Sequence, residues 1–463
     1  MRRYFICTLA ALLLASCASP SRSPVLPVPE HAVIGVSNEQ LDAEYWIKRT
    51  RRAEALNLDR SEIAAQNQKL LSLDTSVREI EKLPRTLTGN DVRSWIEKLS
   101  SRPSGVVYDD HGETVTDATL DELVAALNLD TVPASQPTRY GMVVRRADLR
   151  TFPTRLRVFS SSDDSDIDRF QESALFPGAP VVIAHQSRDG QWLFVVNDFY
   201  SAWIETAAVA EGPAEQVFQY RRKTPYLVVT GATAKTVFTP ELPAVSELQL
   251  DMGVRVPVLA DWPAGKPVNG QHPYVSHVIE LPVRADDGAL RFAPALLPKT
   301  ADVANDYLPL NQANVLRQGF KFLGERYGWG HSYNARDCSG FVAEIYRSFD
   351  VKMPRNTRDQ GVSPAFKRIE FTAADSHEQR LEVLRTLQVG DLVYIPRHVM
   401  MVIGHNDGMP YVIHDTTGIS YRNNQELVRV ALNGVSVTPL TPLLLGEGKP
   451  MIDSIYSILQ LRR

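Results

Sequence analysis

The sequence predicts a multidomain α+β protein: a helical N-terminal region, two small β-barrels and a C-terminal α+β domain. Three observations carry this reading. The chain has 463 residues, enough for roughly three or four domains of about 100 to 150 residues each. Near residue 135 its hydrophobic period changes from helical spacing to short strands broken by turn residues. Late in the chain a cysteine opens a helical repeat, and β-prone runs carrying histidines follow it. With 44% hydrophobic and 22% charged residues, wholesale disorder, collagen-like repetition and a polytopic membrane protein are excluded. The chain holds 50 basic against 54 acidic residues with no dense Lys/Arg block, so it lacks the electrostatic footprint of a nucleic-acid binder.

The N-terminus reads as a leader. Arg2 and Arg3 precede an apolar run from Tyr4 to Leu14, too short to span a bilayer but suited to a signal-peptide core. The run ends in Leu14-Ala15-Ser16-Cys17, which resembles a bacterial lipobox. The resemblance implies a signal peptide over 1–16, a lipid on Cys17 and a tether over 17–37 rich in Pro and Ser. Ala18 follows the cysteine, and the lipoprotein pattern then points to the outer membrane of a Gram-negative-type bacterium, facing the periplasm. The lipid anchor would be the only membrane contact.

Residues 38–134 show the helical period. Leu56, Leu58, Ile63, Leu70 and Leu73 supply apolar faces among charges; Leu120, Val124 and Leu127 follow at helical spacing. Thr88 and Asp91 sit three apart ahead of Val92, as an N-terminal cap would. The apolar content is thin for an independent core, so this region should clip onto something else. Over 135–212, Tyr140–Val144, Pro180–Ala184 and Trp192–Val196 read as strands, with Asp189-Gly190 as a turn. A second β-rich stretch, 213–295, repeats the texture, with Gly253 to Val258 echoing Gly178 to Val181 and a turn at Asp287-Gly288. Two small barrels in tandem suit such short, turn-punctuated strands.

The segment 296–463 carries the chemistry. With Cys7 in the leader and Cys17 lipidated, Cys338 is the one free thiol of an exported chain, which leaves no disulfide framework and no multi-cysteine zinc site. Phe341, Ile345 and Phe349 repeat every four residues after it, so Cys338 should start a helix, where the dipole favours thiolate. Downstream, Val399–Ile403 and Tyr411–Ile413 flank the turn composition His405-Asn406-Asp407-Gly408-Met409-Pro410. A hairpin folded about Asn406 sets His398 and His414 side by side. A thiol nucleophile needs this arrangement: one imidazole takes the sulfur's proton and a polar third group fixes its tautomer. His405 falls in the turn, His331 could line the cleft, and His398 with His414 is not a metal-ligand spacing. No metal and no cofactor are expected.

With Tyr327-Gly328-Trp329-Gly330, Asp337-Cys338-Ser339-Gly340, Gly390-Asp391-Leu392, His398 and His414, the segment resembles the NlpC-type papain-like cell-wall cysteine peptidases. Met353-Pro354-Arg355 followed by Gln360 is similar to that family's loop after its first helices, and Phe152-Pro153-Thr154, Asp168–Gly178 and Ser187–Trp192 resemble a bacterial SH3-like domain. The whole chain looks like the type with an N-terminal clip, two SH3-like barrels and a C-terminal peptidase.

The resemblance implies hydrolysis of peptidoglycan stem peptides, L-Ala-γ-D-Glu-diaminopimelate, at the bond between γ-D-Glu and the diamino acid; a monomer is expected. It implies Cys338 as nucleophile, His398 as general base and His414 as orienting residue. Tyr327 and the Cys338 amide are its candidates for oxyanion stabilisation, and Asp337 and Ser339 for substrate contact. In such relatives the first barrel caps the cleft and restricts cleavage to peptides with a free N-terminal L-Ala; Glu172 and Tyr200 are the candidates here for meeting that amino group. Two departures stand out: Arg397 precedes the histidine where many relatives have a small residue, and Pro364–Leu387 reads as a charged insertion near the site. The alternatives are a CHAP-like N-acetylmuramoyl-L-alanine amidase, which also runs Cys before His, and a catalytically silent wall-binding scaffold.

Overall fold

A computed structural model describes residues 26–28, 33–164 and 166–463. The leader, the lipobox and Cys17 lie outside the described residues. Among those described, no helix is long and apolar enough to cross a membrane.

The N-terminal region is short helices with capped starts. Asp59 and Glu62 form a reciprocal capping box on Arg60–Leu73, and Thr88 accepts the Asp91 amide ahead of Gly89–Leu99. Their apolar faces enter other domains' cores. Trp46, Ile63, Leu70 and Val77 bury with Leu316, Phe341 and Ile345 of the C-terminal domain. Ile80, Leu87, Val92, Ile96, Leu120 and Leu123 bury with Phe152, Phe194 and Trp203 of the first barrel. The periodic reading erred at Leu56, Leu73 and Val124, which are 48%, 50% and 41% exposed. The expected tether also ends early. Ile34 and Val36 are buried and the Tyr411 hydroxyl donates to the Gly35 carbonyl at 2.5 Å, so residues 33–37 are docked.

The first barrel is a seven-stranded antiparallel sheet in the order Gln171–Leu175, Ala147–Arg150, Ser201–Glu205, Trp192–Val196, Pro180–Gln186, Arg139–Val143, Val209–Gly212. Trp192–Val196 is apolar at every position because both its faces are covered: Trp192, Phe194 and Val196 by the N-terminal clip, Leu193 and Val195 by the barrel interior. Ser135–Pro137, expected to open this barrel, instead pairs with Thr86–Thr88 of the clip.

In the second barrel three small sheets close around one core. Its extent corrects the expected boundary at 295. Ser276–Arg284 needs a partner of its own length, so Leu290–Pro298 runs on to pair Pro298 with Ser276, and Val303–Ala304 then pairs with Tyr226–Val229. The C-terminal domain begins beyond residue 304.

In that domain, helices Gln312–Phe320 and Cys338–Arg347 pack on a sheet ordered Lys367–Glu370, Ser457–Gln460, Leu392–Ile395, His398–Asn406, Met409–Asn423, with Glu426–Pro439 paired to the last of these. Phe341 and Ile345 meet Tyr394, Val399, Met401 and Ile413 on one face. Leu384 of the His377–Leu384 helix meets Val393, Ile395, Met400 and Val402 on the other. The charged insertion at 364–387 begins in the core that holds Cys338, with Ala365 and Phe366 buried there, then builds an edge strand and a helix whose Leu384 packs on the opposite face of the sheet.

Candidate active site

Cys338 occupies the first turn of its helix, with Asp337 as N-cap accepting the Gly340 amide at 2.8 Å. It is the free cysteine among the described residues and is buried. Its sulfur lies 3.6 Å from Thr357 Oγ1 and 3.9 Å from the Arg397 carbonyl, and the Val399 amide faces it. The thiol thus rests against the backbone on either side of His398. His398 Nε2 and His414 Nδ1 share a hydrogen bond of 2.8 Å, and His414 Nε2 meets Thr438 Oγ1 at 3.1 Å.

The hairpin brings the two histidines together by a different register from the one expected. The turn is Asp407-Gly408, closed by Asn406 opposite Met409, and a bulge between Val402 and Gly404 shifts the strands. Met401 pairs with Ile413, so His414 stands one step beyond, opposite Met400, and His398 is its diagonal neighbour rather than its partner. Diagonal positions remain within reach of long side chains.

Packing works against the expected thiolate. Burial, with the Asp337 carboxylate, pushes the Cys338 thiol up to about 12, and burial brings His398 down to about 4. Burial is the main reason the helix dipole does not prevail; the Asp337 carboxylate, which accepts the Gly340 amide of the first turn, adds to it. The resting pair is a neutral thiol and a neutral imidazole, so the imidazole can accept the sulfur's proton as the sulfur attacks a carbonyl.

Asp337 and Ser339 are built inward. Asp337 accepts the Gly330 amide at 3.1 Å and pairs with Arg355 at 2.7 Å, which holds its carboxyl down at about 2 despite burial. Ser339 Oγ donates to Asp337 at 3.0 Å and accepts from Arg355 at 2.9 Å. Arg355 extends to the first barrel, donating to Ser173 Oγ at 2.7 Å and to the Glu172 carbonyl at 3.5 Å. There the Tyr200 hydroxyl donates to the Glu172 carboxylate, which also accepts from Thr151 at 2.6 Å. The structure so brings Glu172 and Tyr200 together and links them through Arg355 to the turn that bears Cys338. Tyr327 is buried in the field of Cys338 and Asp337, and burial drives its hydroxyl well above the usual range, so it stays protonated and able to donate.

His331 is buried between Glu344 (3.1 Å) and Arg355 (3.0 Å) and burial lowers it to about 4, which makes it a bracing residue rather than a free cleft base. His405 is half-buried, bound to the Leu384 carbonyl at 3.1 Å. Beside the site, Arg336 is wholly buried and bonds Asp251 of the second barrel at 2.8 Å, Glu325 at 2.6 Å and Glu344 at 2.6 Å. Among the described residues no group of three or more His, Cys, Asp or Glu could hold a metal ion.

Sequence reasoning missed Arg355, Thr357, Thr438 and Asp415. Asp415 carried a signal: a carboxylate next to His414 in an apolar run. It is fully buried, neither of its carboxyl oxygens has a partner, and burial with Asp337 and Glu325 nearby pushes it up to about 9. In the unfolded chain it ionises near 4. Between these values the unfolded state binds fewer protons, so stability falls as pH rises. Asp415→Asn, which cannot ionise, should match the parent near pH 4 and exceed it at pH 8, by a margin growing at most about 1.4 kcal/mol per pH unit. Thermal unfolding across that range measures it; a margin that does not change with pH would refute the assignment.

Comparison with known proteins places the parts. Residues 157–205 match the model of an SH3 domain (SH3b1 type) and residues 324–430 that of the NlpC/P60 family. A γ-D-glutamyl-L-lysine dipeptidyl-peptidase of Bacillus cereus is 24% identical over 316 residues, 64% of this chain and 83% of that protein. An NlpC/P60 endopeptidase from Photobacterium damselae subsp. piscicida shares the fold, with a TM-score of 0.71 at 17% identity over 91% of this chain and 96% of that one.

Proposed function

From a chain whose C-terminal domain is an NlpC/P60 cysteine peptidase domain, with an SH3 domain upstream, we propose a specific activity: cleavage of the γ-D-Glu–diaminopimelate bond in murein stem peptides that begin with a free L-Ala. Cys338 attacks the γ-carbonyl as His398 takes its proton. The collapsing intermediate expels the diamino acid's amine, which recovers the proton from His398, and water then hydrolyses the thioester. His414, anchored by Thr438, holds the His398 ring in place. The Cys338 amide and the Tyr327 hydroxyl stabilise the oxyanion. The protein acts as a monomer, lipidated at Cys17 in the outer membrane and facing the periplasm.

One observation carries the substrate reading. The Glu172 carboxylate, with Tyr200 on it, stands at the barrel end of the Arg355 bridge, where a peptide's ammonium finds an anion. A stem peptide still attached to glycan has no such ammonium. The curated relative is named for the corresponding bond to L-lysine.

Mass spectrometry of the leader-free protein incubated with L-Ala-γ-D-Glu-diaminopimelate, and with the same peptide acylated at its N-terminus, tests the reading. Release of L-Ala-γ-D-Glu from the free peptide alone is the expected result. Equal cleavage of both removes the barrel's gating role, and cleavage of neither removes the specificity proposed here.

A further inference from the structure

The two residues joining Leu392–Ile395 to His398–Asn406 are Pro396 and Arg397, with Ile395 paired to His398. Arg397 has φ of 70°. A two-residue connection with proline first and a left-handed residue second is a slot that glycine or asparagine fills without strain. Arginine there opposes the local preference, and such a cost persists where the side chain serves a function.

Position tells which function. The Arg397 carbonyl is the one 3.9 Å from the Cys338 sulfur, and His398 is the next residue. Resting on the cleavage proposed above, the leaving amine takes its proton from His398, so the leaving group stands on the Arg397 side of the sulfur. The acyl side is marked by Arg355, Glu172 and Tyr200. Arg397 is exposed, and among the described residues no carboxylate pairs with it, whereas Arg336 and Arg355 beside the site are both held in ion pairs. An exposed arginine without a carboxylate partner, whose backbone lies against the sulfur on the leaving-group side, offers a fork for a carboxylate.

We propose that Arg397 is a specificity-determining residue that pairs with the carboxylate on the distal centre of the leaving diamino acid, and so selects diaminopimelate over lysine. Lysine has the same side-chain amine but no distal carboxylate, so it cannot occupy this fork.

The test is kcat/KM for L-Ala-γ-D-Glu-diaminopimelate and L-Ala-γ-D-Glu-L-Lys, in the parent and in Arg397→Gly and Arg397→Lys. Glycine suits the left-handed position, so Arg397→Gly retains the turn and melts no lower than the parent. The parent should prefer the diaminopimelate peptide, and Arg397→Gly should lose about ten- to a hundredfold more on that peptide than on the lysine one. Arg397→Lys keeps the charge without the fork and should retain part of the preference. Cleavage of both peptides with a ratio that Arg397→Gly leaves unchanged overturns this inference alone. Cleavage of neither by the parent overturns the bond assignment and this inference with it.

Discussion

Cys338→Ala should abolish hydrolysis of the free stem peptide while leaving the protein folded. Loss of a nucleophile in a thiol or serine peptidase costs on the order of 10⁴- to 10⁶-fold in kcat, because what remains is binding and oxyanion stabilisation without a covalent step. The fold should tolerate the change. Cys338 contributes one sulfur to a large shared core, and its contacts with Thr357 and the Arg397 carbonyl are long. The Asp337 cap on the Gly340 amide does not involve the sulfur, so the helix start survives. Product release followed by mass spectrometry, with circular dichroism and a melting curve beside it, checks both halves. Residual full activity would remove Cys338 from the chemistry; an unfolded variant would show the sulfur to be structural.

Arg336→Met should give the largest loss of stability. The arginine is wholly buried, donates to Asp251, Glu325, Glu344 and the Ala232 carbonyl, and lies over the Phe322 ring with its guanidinium carbon 4.6 Å from the centroid. It is the charge that holds Glu344 far below the usual carboxylate range against the cost of burial. Methionine fills much of the volume but leaves the buried Asp251 and Glu344, and the partly exposed Glu325, without their shared cation. Breaking a buried ion network by removing one partner costs about 3 to 5 kcal/mol, which lowers Tm on the order of 10 °C. Since Asp251 belongs to the second barrel, that barrel should loosen from the peptidase domain first. A companion variant, Arg336→Met with Glu344→Gln, relieves part of the repulsion and should melt higher than the single variant. A single variant that melts within about two degrees of the parent would show the network to be dispensable.

Much of this arrangement was legible in the sequence, and the misreadings have physical causes. The helix opening at Cys338 followed from the spacing of Phe341, Ile345 and Phe349, all on the buried face. The pairing of His398 with His414 followed from turn composition, but its register did not, because a bulge has no sequence signature as plain as Asp-Gly. The thiolate expectation weighed the helix dipole without the desolvation that tertiary packing imposes, and that desolvation pushes the thiol up. Arg355 was visible only as part of a motif. Its links to Asp337, Ser173 and Glu172 cross up to 183 positions of sequence, which no local pattern encodes. The domain boundaries slipped where strands finish a neighbour's sheet, as Val303–Ala304 does.

The N-terminal clip contributes to two cores at once, with Trp46 and Leu70 in one and Ile80 and Ile96 in the other. The parts of this protein are therefore not interchangeable in the way a string of beads would be. A peptidase domain transplanted alone carries an uncovered apolar face, and so does a first barrel. Moving either unit intact requires carrying the clip with it or replacing the apolar residues the clip covers. The clip, the first barrel and the peptidase domain therefore form one clasped set, and an exposed position such as Arg397 can change without disturbing its cores.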